Sequence, residues 1–572
     1  MRLRTDSPAA DPPRRTSIRL IALVALITSA VVASTLSADA VPARSGVPGT
    51  VTTADPGSAD GSTPDVRVHA LDVPSADVES AREFRSSGPR LAAELPPRDT
   101  AGFGLVALTW RSGTAPEGLE LQVRVREDAE WTGWGELEYE PEEGPSGAEA
   151  LAATRDGTAP AWVGDADGVQ ARVFSSSGEA PQDLQVSMID ADASPTDESP
   201  DQLATSDTTT DDVTTSGSRF TPRPDMISRR GWGADPSLTS QCDSPRAANT
   251  VRLVFVHHTV NSNEYTRSEA VRIVRSVYAY HTQSRGWCDI GYNFLVDRFG
   301  RIYEGRRGGV NVPIRGAHVS DFNTGSSGMA LIGNFENTRP SKRMRGGLRR
   351  LVSWKLASFY RYPRATITMH GQRLRVISGH RDAGTTACPG RYVYQWLPTL
   401  RQQVYNRIGK PDTPNYRKWP RFGPERLGQP FYGEVNSIDS GRKTIFNKGH
   451  VYWKSDLDAH VVRNGILKRW KHHNGVRGRF GYPVSDSYPV DGRPGWLQKF
   501  QGGRGYNHRE VGPRLLWKGA ILKRYRNSGG VKGRLGFPVR EIYPVRVGTR
   551  AEFRGGWITW HRSTGNTTVK FK

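Results

Sequence analysis

The chain has 572 residues, too many for one hydrophobic core, so two to four domains are expected. An apolar fraction of 36% with 15 tryptophans excludes a wholly disordered chain. Residues 411–572 hold 32 Lys and Arg against 11 Asp and Glu, a surplus equal to the net charge of the whole chain, +21. Such a basic block indicates an acidic partner, with a merely solubilising surface as the alternative.

The first 65 residues carry the pattern of an export signal. Three arginines up to Arg19 precede an apolar run over residues 20–32, and Ala38-Asp39-Ala40 is a small-x-small cleavage motif. The run is shorter than the about 20 residues that span a bilayer, so we predict a signal peptide over 1–40, with an uncleaved anchor as the alternative. Residues 41–65, rich in Gly, Ser, Thr and Pro, predict a flexible leader.

Residues 66–190 are predicted to form an all-β domain. Apolar and polar residues alternate over 119–126, which is typical of a half-buried strand, and similar runs recur elsewhere in the region. Trp131 and Trp134 suggest a carbohydrate-stacking platform, with core or edge packing as the alternative. The role of this domain is open: it could gate a groove, bind glycan or act as a spacer. Residues 191–222, with hardly an apolar side chain, predict a disordered linker.

Residues 223–408 alternate between strand and helix patterns, which predicts an α/β domain. The strands are expected at 253–256, 292–297, 301–304 and 329–332, and the helices at 267–283, 348–360 and 392–407. The resulting fold class is α/β, with a central mixed β-sheet flanked by helices, an N-terminal all-β domain and a C-terminal β-rich module.

The C-terminal module, 411–572, is predicted from an internal repeat. Phe480-Gly481-Tyr482-Pro483 recurs 55 residues later as Leu535-Gly536-Phe537-Pro538, and a degenerate copy, Leu427-Gly428-Gln429-Pro430, lies 53 residues earlier. Gly and Pro at fixed offsets mark turns between aromatic-rich strands. We therefore predict three repeats that form a compact β-rich module.

Three cysteines and two histidines indicate a metal site and a disulfide. His257 ends an apolar strand, and His380 and Cys388 flank a Gly/Thr-rich loop. Two imidazoles and a thiolate can hold a tetrahedral zinc with the fourth position open for water, the layout of a catalytic site. In an exported protein the remaining Cys242 and Cys288 are then expected to pair, with three reduced thiols as the alternative.

Residues 224–406 resemble the peptidoglycan recognition protein and phage-type zinc amidase family. The similarity is carried, in the family's order, by Ile227 to Ala234, Val256-His257-His258-Thr259, Asp289 to Val296, Gly316-Ala317-His318, Gly328 to Phe335, and Gly379-His380-Arg381-Asp382 through Cys388-Pro389-Gly390. The C-terminal repeats resemble the LGFP repeat of actinobacterial wall proteins, which implies attachment to the cell envelope.

The resemblance implies an N-acetylmuramoyl-L-alanine amidase with one Zn²⁺ per amidase domain, held by His257, His380 and Cys388. Tyr292 maps onto the family's tyrosine near the metal. Thr386 stands where the phage enzyme has lysine and many recognition proteins have threonine, so the division of catalytic roles between Tyr292 and Thr386 is open. His258 is not a family ligand and is expected to pack behind the site.

The substrate implied is peptidoglycan, with His318, Arg315 and Asn323 expected on the rim of the groove that binds muramyl peptide. We expect a secreted, wall-associated monomer whose residues 411–572 bind an anionic envelope polysaccharide, and no nucleic-acid partner. The alternatives are a protein that binds peptidoglycan without cutting it, and a structural wall-anchoring protein. The cysteine ligand favours the enzyme, since purely binding members of the family typically lack it.

Overall fold

The computed structural model describes residues 64–77, 89–200, 220–239, 242 and 245–572. The predicted signal peptide, nearly all of the leader and most of the predicted linker lie outside these residues. Among the residues described, no helix is both long and apolar enough to cross a membrane. An all-β domain, an α/β domain and three small β-sheets follow one another along the chain, which confirms the predicted fold class.

The N-terminal domain is an antiparallel sheet in which residues 121, 123 and 125 of one strand point into a core around Trp110. Its elements are β1 (Val66–Asp72), β2 (Arg90–Arg111), β3 (Glu120–Glu127), β4 (Glu130–Trp131), β5 (Gly135–Glu136), α1 (Ala148–Ala152), β6 (Arg155–Gly157), β7 (Ala161–Ser175) and β8 (Gln185–Ala191). The order along the sheet is β1-β8-β2-β7-β3-β4, with β5 paired to β3 and β6 to β2. Arg124 stacks on both Trp131 and Trp134, so guanidinium groups face these rings.

The α/β domain is built on a mixed five-stranded sheet in the order β11-β10-β12-β9-β15. The strands are β9 (Leu253–His258), β10 (Phe294–Val296), β11 (Ile302–Glu304), β12 (Ser326–Leu331) and β15 (Ile377–Gly379), with a separate hairpin of β13 (Thr366–Met369) and β14 (Gln372–Arg375). Strand β9 is parallel to both of its neighbours, β12 and β15. Such a strand is buried on both faces, which explains its nearly continuous apolar sequence.

Helices cover both faces of this sheet. They are α2 (Arg267–Ala279), continued by a π-helical turn at Tyr280–Ser284, α3 (Lys342–Ser358) and α4 (Arg391–Ile408). Helix α2 begins at a capping box formed by Thr266 and Glu269. Helices α3 and α4 pack in one core with Val254 and Val256 of β9, whereas α2 packs on the opposite face with Ala330 of β12.

The C-terminal region begins with α5 (Pro414–Phe422) and α6 (Pro424–Leu427) and continues as three four-stranded antiparallel sheets. The first is β16 (Pro430–Asn436), β17 (Arg442–Phe446), β18 (Gly449–Lys454) and β19 (Leu457–Val462), followed by α7 (Asn464–His472). The second is β20 (Tyr488–Pro489), β21 (Gly495–Phe500), β22 (Gly503–His508) and β23 (Gly512–Trp517), followed by α8 (Ala520–Asn527). The third is β24 (Pro538–Val545), β25 (Gly548–Phe553), β26 (Gly556–His561) and β27 (Thr567–Phe571).

Each copy of the repeated motif turns the chain into one of these sheets. The motif glycines Gly428, Gly481 and Gly536 have φ of 80°, 61° and 65°, a left-handed conformation that residues with a Cβ rarely adopt. The residues before them, Leu427, Phe480 and Leu535, are buried. The motif is therefore a turn that is pinned to the core by its first side chain.

The N-terminal and α/β domains share a hydrophobic core. Leu105 and Ile189 of the N-terminal sheet belong to the same buried cluster as Val274 and Val277 of α2. A shared core of this kind fixes two domains relative to each other, unlike the polar contacts usual between independent domains.

The segment that follows β8 is packed, which corrects the predicted linker. Residues 192–200 were predicted to be disordered because they lack apolar side chains. In the structure Arg275 of α2 donates two hydrogen bonds to the Asp197 carboxylate, at 2.6 and 2.8 Å, and one to the Asp192 carbonyl. Asp197 is 1% exposed. A buried ion pair, rather than apolar burial, therefore orders this segment.

Replacement of Asp197 by Ala would leave Arg275 buried without its partner. We expect the free energy of unfolding to fall by about 3–5 kcal/mol, as measured by urea titration of the full chain. The control is Asp165→Ala, which breaks an ion pair between α2 Arg272 and an exposed carboxylate and should cost less than about 1 kcal/mol. Equal losses in the two variants would contradict a structural role for the buried pair.

Candidate active site

His257 reaches the site because strand β9 alternates its side chains. Val254 and Val256 point into the core beneath α3 and α4. Leu253 and Phe255 point to the other face, and His257 follows them there by the period of two. The ring of His257 is therefore held near the end of a rigid strand and is fully buried.

His380 and Cys388 approach His257 from the neighbouring strand. Strand β15 is parallel to β9 and ends at Gly379, so His380 emerges at the same edge of the sheet. Cys388 lies at the end of the loop that follows, with its Sγ 3.7 Å from Nδ1 of His257. The ligand atoms of the three residues all lie within 4.8 Å of one another, and all three side chains are buried.

A hydrogen bond behind His257 fixes the orientation of its ring. Nε2 of His257 and Nδ1 of His318 share a hydrogen bond of 3.1 Å, and Nε2 of His318 lies 3.4 Å from Ser326 Oγ. This contact leaves Nδ1 of His257 facing the sulfur of Cys388. Metal-binding histidines are usually held in this way by a partner on the second ring nitrogen.

The electrostatics of His257 and Cys388 fit a divalent cation, whereas the Glu140 carboxylate outweighs burial and raises the pKa of His380. Burial and the nearby imidazole of His380 lower the pKa of His257, which favours the neutral ring that binds metals. Burial and the Glu140 carboxylate raise the pKa of Cys388, so its thiolate form needs a cation beside it. Among the described residues, neither ring nitrogen of His380 has a hydrogen-bond partner.

The distances also fit zinc. Zinc lies about 2.3 Å from sulfur and about 2.0–2.1 Å from nitrogen, and a tetrahedral angle then puts these two atoms about 3.6 Å apart. The distance from Cys388 Sγ to His257 Nδ1 is 3.7 Å. The residues present are therefore suited to hold Zn²⁺.

Tyr292 and Thr386 bring two hydroxyl groups to this cluster. The ring of Tyr292 lies 5.6 Å from that of His257 between centroids. The hydroxyl of Thr386 accepts a hydrogen bond of 2.9 Å from the backbone N–H of Cys388, which leaves its own hydrogen free to donate. Burial and the Glu143 carboxylate raise the pKa of Tyr292, so the phenol stays protonated.

Residues 138–149 of the N-terminal domain, here named the acidic segment, cover the cluster. Glu140 accepts a hydrogen bond of 2.6 Å from Thr386, and its Oε2 lies 3.3 Å from Nδ1 of His380. The latter contact lacks hydrogen-bond alignment, since Nδ1 of His380 is without a partner among the described residues. Glu140 is 5% exposed.

The rest of the acidic segment follows the same cleft. Glu143 accepts a hydrogen bond of 2.6 Å from Tyr292. The Gly144 carbonyl accepts a hydrogen bond of 2.8 Å from the side chain of Asn323, and the Glu142 carbonyl accepts one from the backbone of Ser320. These three polar groups of the amidase domain thus donate to oxygens of the N-terminal domain.

The carboxylates of the acidic segment titrate far from one another. Burial and the neighbouring Glu140 raise the pKa values of Glu138 and Glu143 to about 7. Burial alone would also raise the pKa of Glu140, but the imidazole of His380 outweighs it and lowers that pKa. Of these three carboxylates, Glu140 is therefore the one favoured as an anion.

The structure places the three residues predicted for the groove rim at different depths. His318 and Asn323 are fully buried, His318 behind His257 and Asn323 beneath the acidic segment, so neither lies on an open rim. Arg315 is partly exposed and lines a cavity of about 270 Å³ with Arg246, Arg306, Arg307 and Glu149. Contact of these residues with substrate stays a prediction.

The predicted disulfide is confirmed. Cys242 and Cys288 are bonded and line the same cavity. Cys388 is the free cysteine. Nδ1 of His258 accepts a hydrogen bond of 3.3 Å from the Phe335 backbone, and a ring nitrogen of His258 lies within 4.8 Å of the ligand atoms of Glu140 and Cys388.

Sequence analysis missed the contribution of the acidic segment. Glu140 and Glu143 stand 149 to 246 residues before the hydroxyl groups that they contact, in a domain without a motif for catalysis. The one available signal was the density of glutamate over 136–143, in an otherwise charge-balanced part of the chain.

Family models match parts of the N-terminal domain, the α/β domain and the C-terminal region. The family model described as N-acetylmuramoyl-L-alanine amidase matches residues 247–391. A model described as Rv3811 N-terminal galactose-binding domain-like matches 64–203, and the LGFP repeat model matches 427–478 and 480–533.

Individual relatives match the α/β domain. Peptidoglycan-recognition protein SC2 of Drosophila melanogaster is 34% identical over 179 residues, which cover 30% of this chain and 85% of the relative. Peptidoglycan recognition protein 1 of Bos taurus is 34% identical over 171 residues, which cover 30% of this chain and 80% of the relative. Among solved structures, Drosophila PGRP-LB is 27% identical, with 30% of this chain and 92% of that chain covered and a TM-score of 0.26.

The amidase model spans the three residues of the ligand cluster, and the LGFP model spans the turns at Gly428 and Gly481. These matches support a peptidoglycan-binding or amidase role for the α/β domain and a wall-associated role for the repeats. The chain belongs to the peptidoglycan recognition protein family, in which its α/β domain corresponds to the amidase domain.

Proposed function

We propose that this protein is a zinc-dependent N-acetylmuramoyl-L-alanine amidase, a hydrolase of the linear amide between the lactyl group of N-acetylmuramic acid and L-alanine in peptidoglycan. One observation carries the proposal. The ligand atoms of His257, His380 and Cys388 converge in a buried cluster, and two hydroxyl donors accompany it: Tyr292 donates to Glu143 and Thr386 donates to Glu140.

His257, His380 and Cys388 would hold one Zn²⁺ in the amidase domain. The bound ion would supply a water of lowered pKa and polarise the scissile carbonyl. His318 keeps Nδ1 of His257 turned toward the cluster through the hydrogen bond at Nε2. The three ligands therefore need little reorganisation to bind the ion.

Tyr292 and Thr386 are suited to donate hydrogen bonds to a developing oxyanion. Tyr292 remains a protonated phenol, since its pKa is raised by burial and by Glu143. Thr386 is oriented by the backbone N–H of Cys388, so its hydroxyl hydrogen points away from that bond. In the structure both hydroxyls already donate to carboxylate oxygens, the kind of acceptor that an oxyanion resembles.

We further propose that the protein works outside the cell, at the wall, as a monomer. The disulfide between Cys242 and Cys288 suits an oxidising compartment. The basic surplus of residues 411–572 suits binding to an anionic envelope polysaccharide. The repeats would then concentrate the amidase on its polymeric substrate.

A second candidate function is recognition of peptidoglycan without cleavage. The observation in its favour is that Tyr292 and Thr386 are engaged by Glu143 and Glu140 rather than free to act on a substrate. Cleavage products separate the two candidates, since recognition alone retains the protein on peptidoglycan but releases no peptide.

Removal of the cysteine ligand tests the enzyme directly. Full-length protein incubated with purified peptidoglycan is expected to release stem peptides that begin with L-alanine, detected by mass spectrometry. Cys388→Ala or chelation of the metal should lower the release at least about 100-fold, since a bound ion contributes several kcal/mol to the transition state. Thr385→Ala, in an exposed position of the same loop, is the control. Equal release by Cys388→Ala would refute the metal mechanism.

Removal of either hydroxyl tests the role of the donors. Tyr292→Phe and Thr386→Val are each expected to lower kcat about 100-fold, the cost typical of one lost oxyanion donor. KM for a muramyl peptide and the zinc content should change little, because neither side chain is a metal ligand. A loss confined to KM would show instead that these hydroxyls bind the ground state.

A further inference from the structure

The acidic segment lies where water and substrate would have to enter the ligand cluster. We propose that it is a built-in plug of the amidase centre, in which Glu140 supplies the fourth ligand to the ion held by His257, His380 and Cys388. The inference rests on the proposed function. It assigns to the N-terminal domain a metal ligand and control of access to the site.

Glu140 has the position of a ligand. One of its carboxylate oxygens lies within 4.8 Å of Cys388 Sγ, in a group whose third member is a ring nitrogen of His258. Its Oε2 is 3.3 Å from Nδ1 of His380, in a contact that is not aligned as a hydrogen bond. A nitrogen and an oxygen that bind the same tetrahedral zinc, at about 2.0–2.2 Å each, are about 3.4 Å apart. The observed separation is therefore the one expected for two ligands of a shared ion.

A fourth protein ligand changes what the centre can do. Catalytic zinc sites keep three protein ligands and one position for water, whereas closed sites use four. With Glu140 in place, two histidines, one cysteine and one glutamate complete the tetrahedron. Water and the substrate carbonyl then have no position at the ion until the carboxylate leaves.

The same segment also occupies the hydroxyl donors. Tyr292 donates its hydrogen bond to Glu143, and Thr386 donates to the second oxygen of Glu140. A substrate carbonyl would have to displace both carboxylates before it could accept from these groups. The metal ligands and the two donors are thus blocked together by residues only three positions apart.

Further contacts with the amidase domain hold the rest of the acidic segment in place. Glu149 forms an ion pair with Arg306 and accepts a hydrogen bond of 3.1 Å from the backbone N–H of Cys288. The side chain of Asn323 donates a hydrogen bond to the Gly144 carbonyl. These contacts use charged and polar groups of the amidase domain, so a polymer bound in the cleft would compete for them.

Access to the ligand cluster requires the acidic segment to move, because separation of the two domains would expose the core that they share. The N-terminal sheet shares a core with α2, and the buried pair of Arg275 and Asp197 ties the domains together. The segment itself contains two prolines and two glycines between Leu137, which is anchored in the N-terminal core, and α1. Local displacement of 140–147 would expose the centre and leave both cores intact, because Tyr139 would still pack on Trp110 of the N-terminal core.

The test compares four zinc-loaded full-length proteins: wild type, Glu140→Ala, Glu140→Gln and the control Glu136→Ala. Glu136 lies four residues away in an exposed strand. The first readout is the rate at which an excess of a chromophoric chelator removes zinc, and the second is the rate of peptide release from purified peptidoglycan. Glu140→Gln keeps the shape of the side chain, so a folding defect in Glu140→Ala would not end the test.

Both Glu140 variants are expected to lose zinc to the chelator at least 10-fold faster than wild type and to release peptides at least 10-fold faster. The control should match wild type in both readouts. Unchanged zinc release in both Glu140 variants would overturn the ligand assignment. Faster zinc release with lower cleavage would show that Glu140 serves catalysis, and would overturn the plug.

The failure of the proposed function gives a different result. If no protein, including Glu140→Ala, releases peptides, the amidase proposal fails while zinc release still decides whether Glu140 is a ligand. If wild type and the Glu140 variants cleave at equal rates, the amidase proposal stands and the plug is refuted.

Discussion

The packing of helix α2 against the N-terminal sheet is the interaction on which the rest of the structure depends. Leu105 and Ile189 on one side and Val274 and Val277 on the other form a single buried cluster, closed by the ion pair of Arg275 and Asp197. Burial of this apolar surface holds the two domains in one arrangement. That arrangement places the acidic segment over the ligand cluster, so a contact remote from the metal centre determines what reaches it.

The centre itself follows from the geometry of parallel strands. Strands β9 and β15 lie side by side and deliver His257 and His380 to one edge of the sheet, and the loop after β15 returns Cys388 between them. The amidase domain alone thus supplies three ligands and two hydroxyl donors. The carboxylates of the N-terminal domain complete the set, so the enzyme that we propose is assembled in a state that resists premature hydrolysis at the wall.

Sequence patterns predicted the features that depend on neighbours along the chain or on a known motif. Strand β9, helix α2, the three turns at Gly428, Gly481 and Gly536, and the pairing of Cys242 with Cys288 were all available from periodicity, spacing and cysteine count. The residues of the ligand cluster were predicted from their sequence motifs. The docking of the two domains could not be predicted, because periodicity marks a buried face but does not identify what packs against it. Asp197 was therefore assigned to a disordered linker, His318 was predicted on the rim of the groove, and Glu140 was not predicted to take part in the site.

Anomalous diffraction at the zinc edge, from crystals of the full-length protein, tests the central claim most directly. The account predicts one peak, about 2.3 Å from Sγ of Cys388 and about 2.0–2.2 Å from a nitrogen of His257, a nitrogen of His380 and an oxygen of Glu140. A peak bound by the three amidase residues and a water, with the acidic segment displaced, would contradict the plug and leave the metal site standing. A peak elsewhere, or none, would contradict the whole account of the centre.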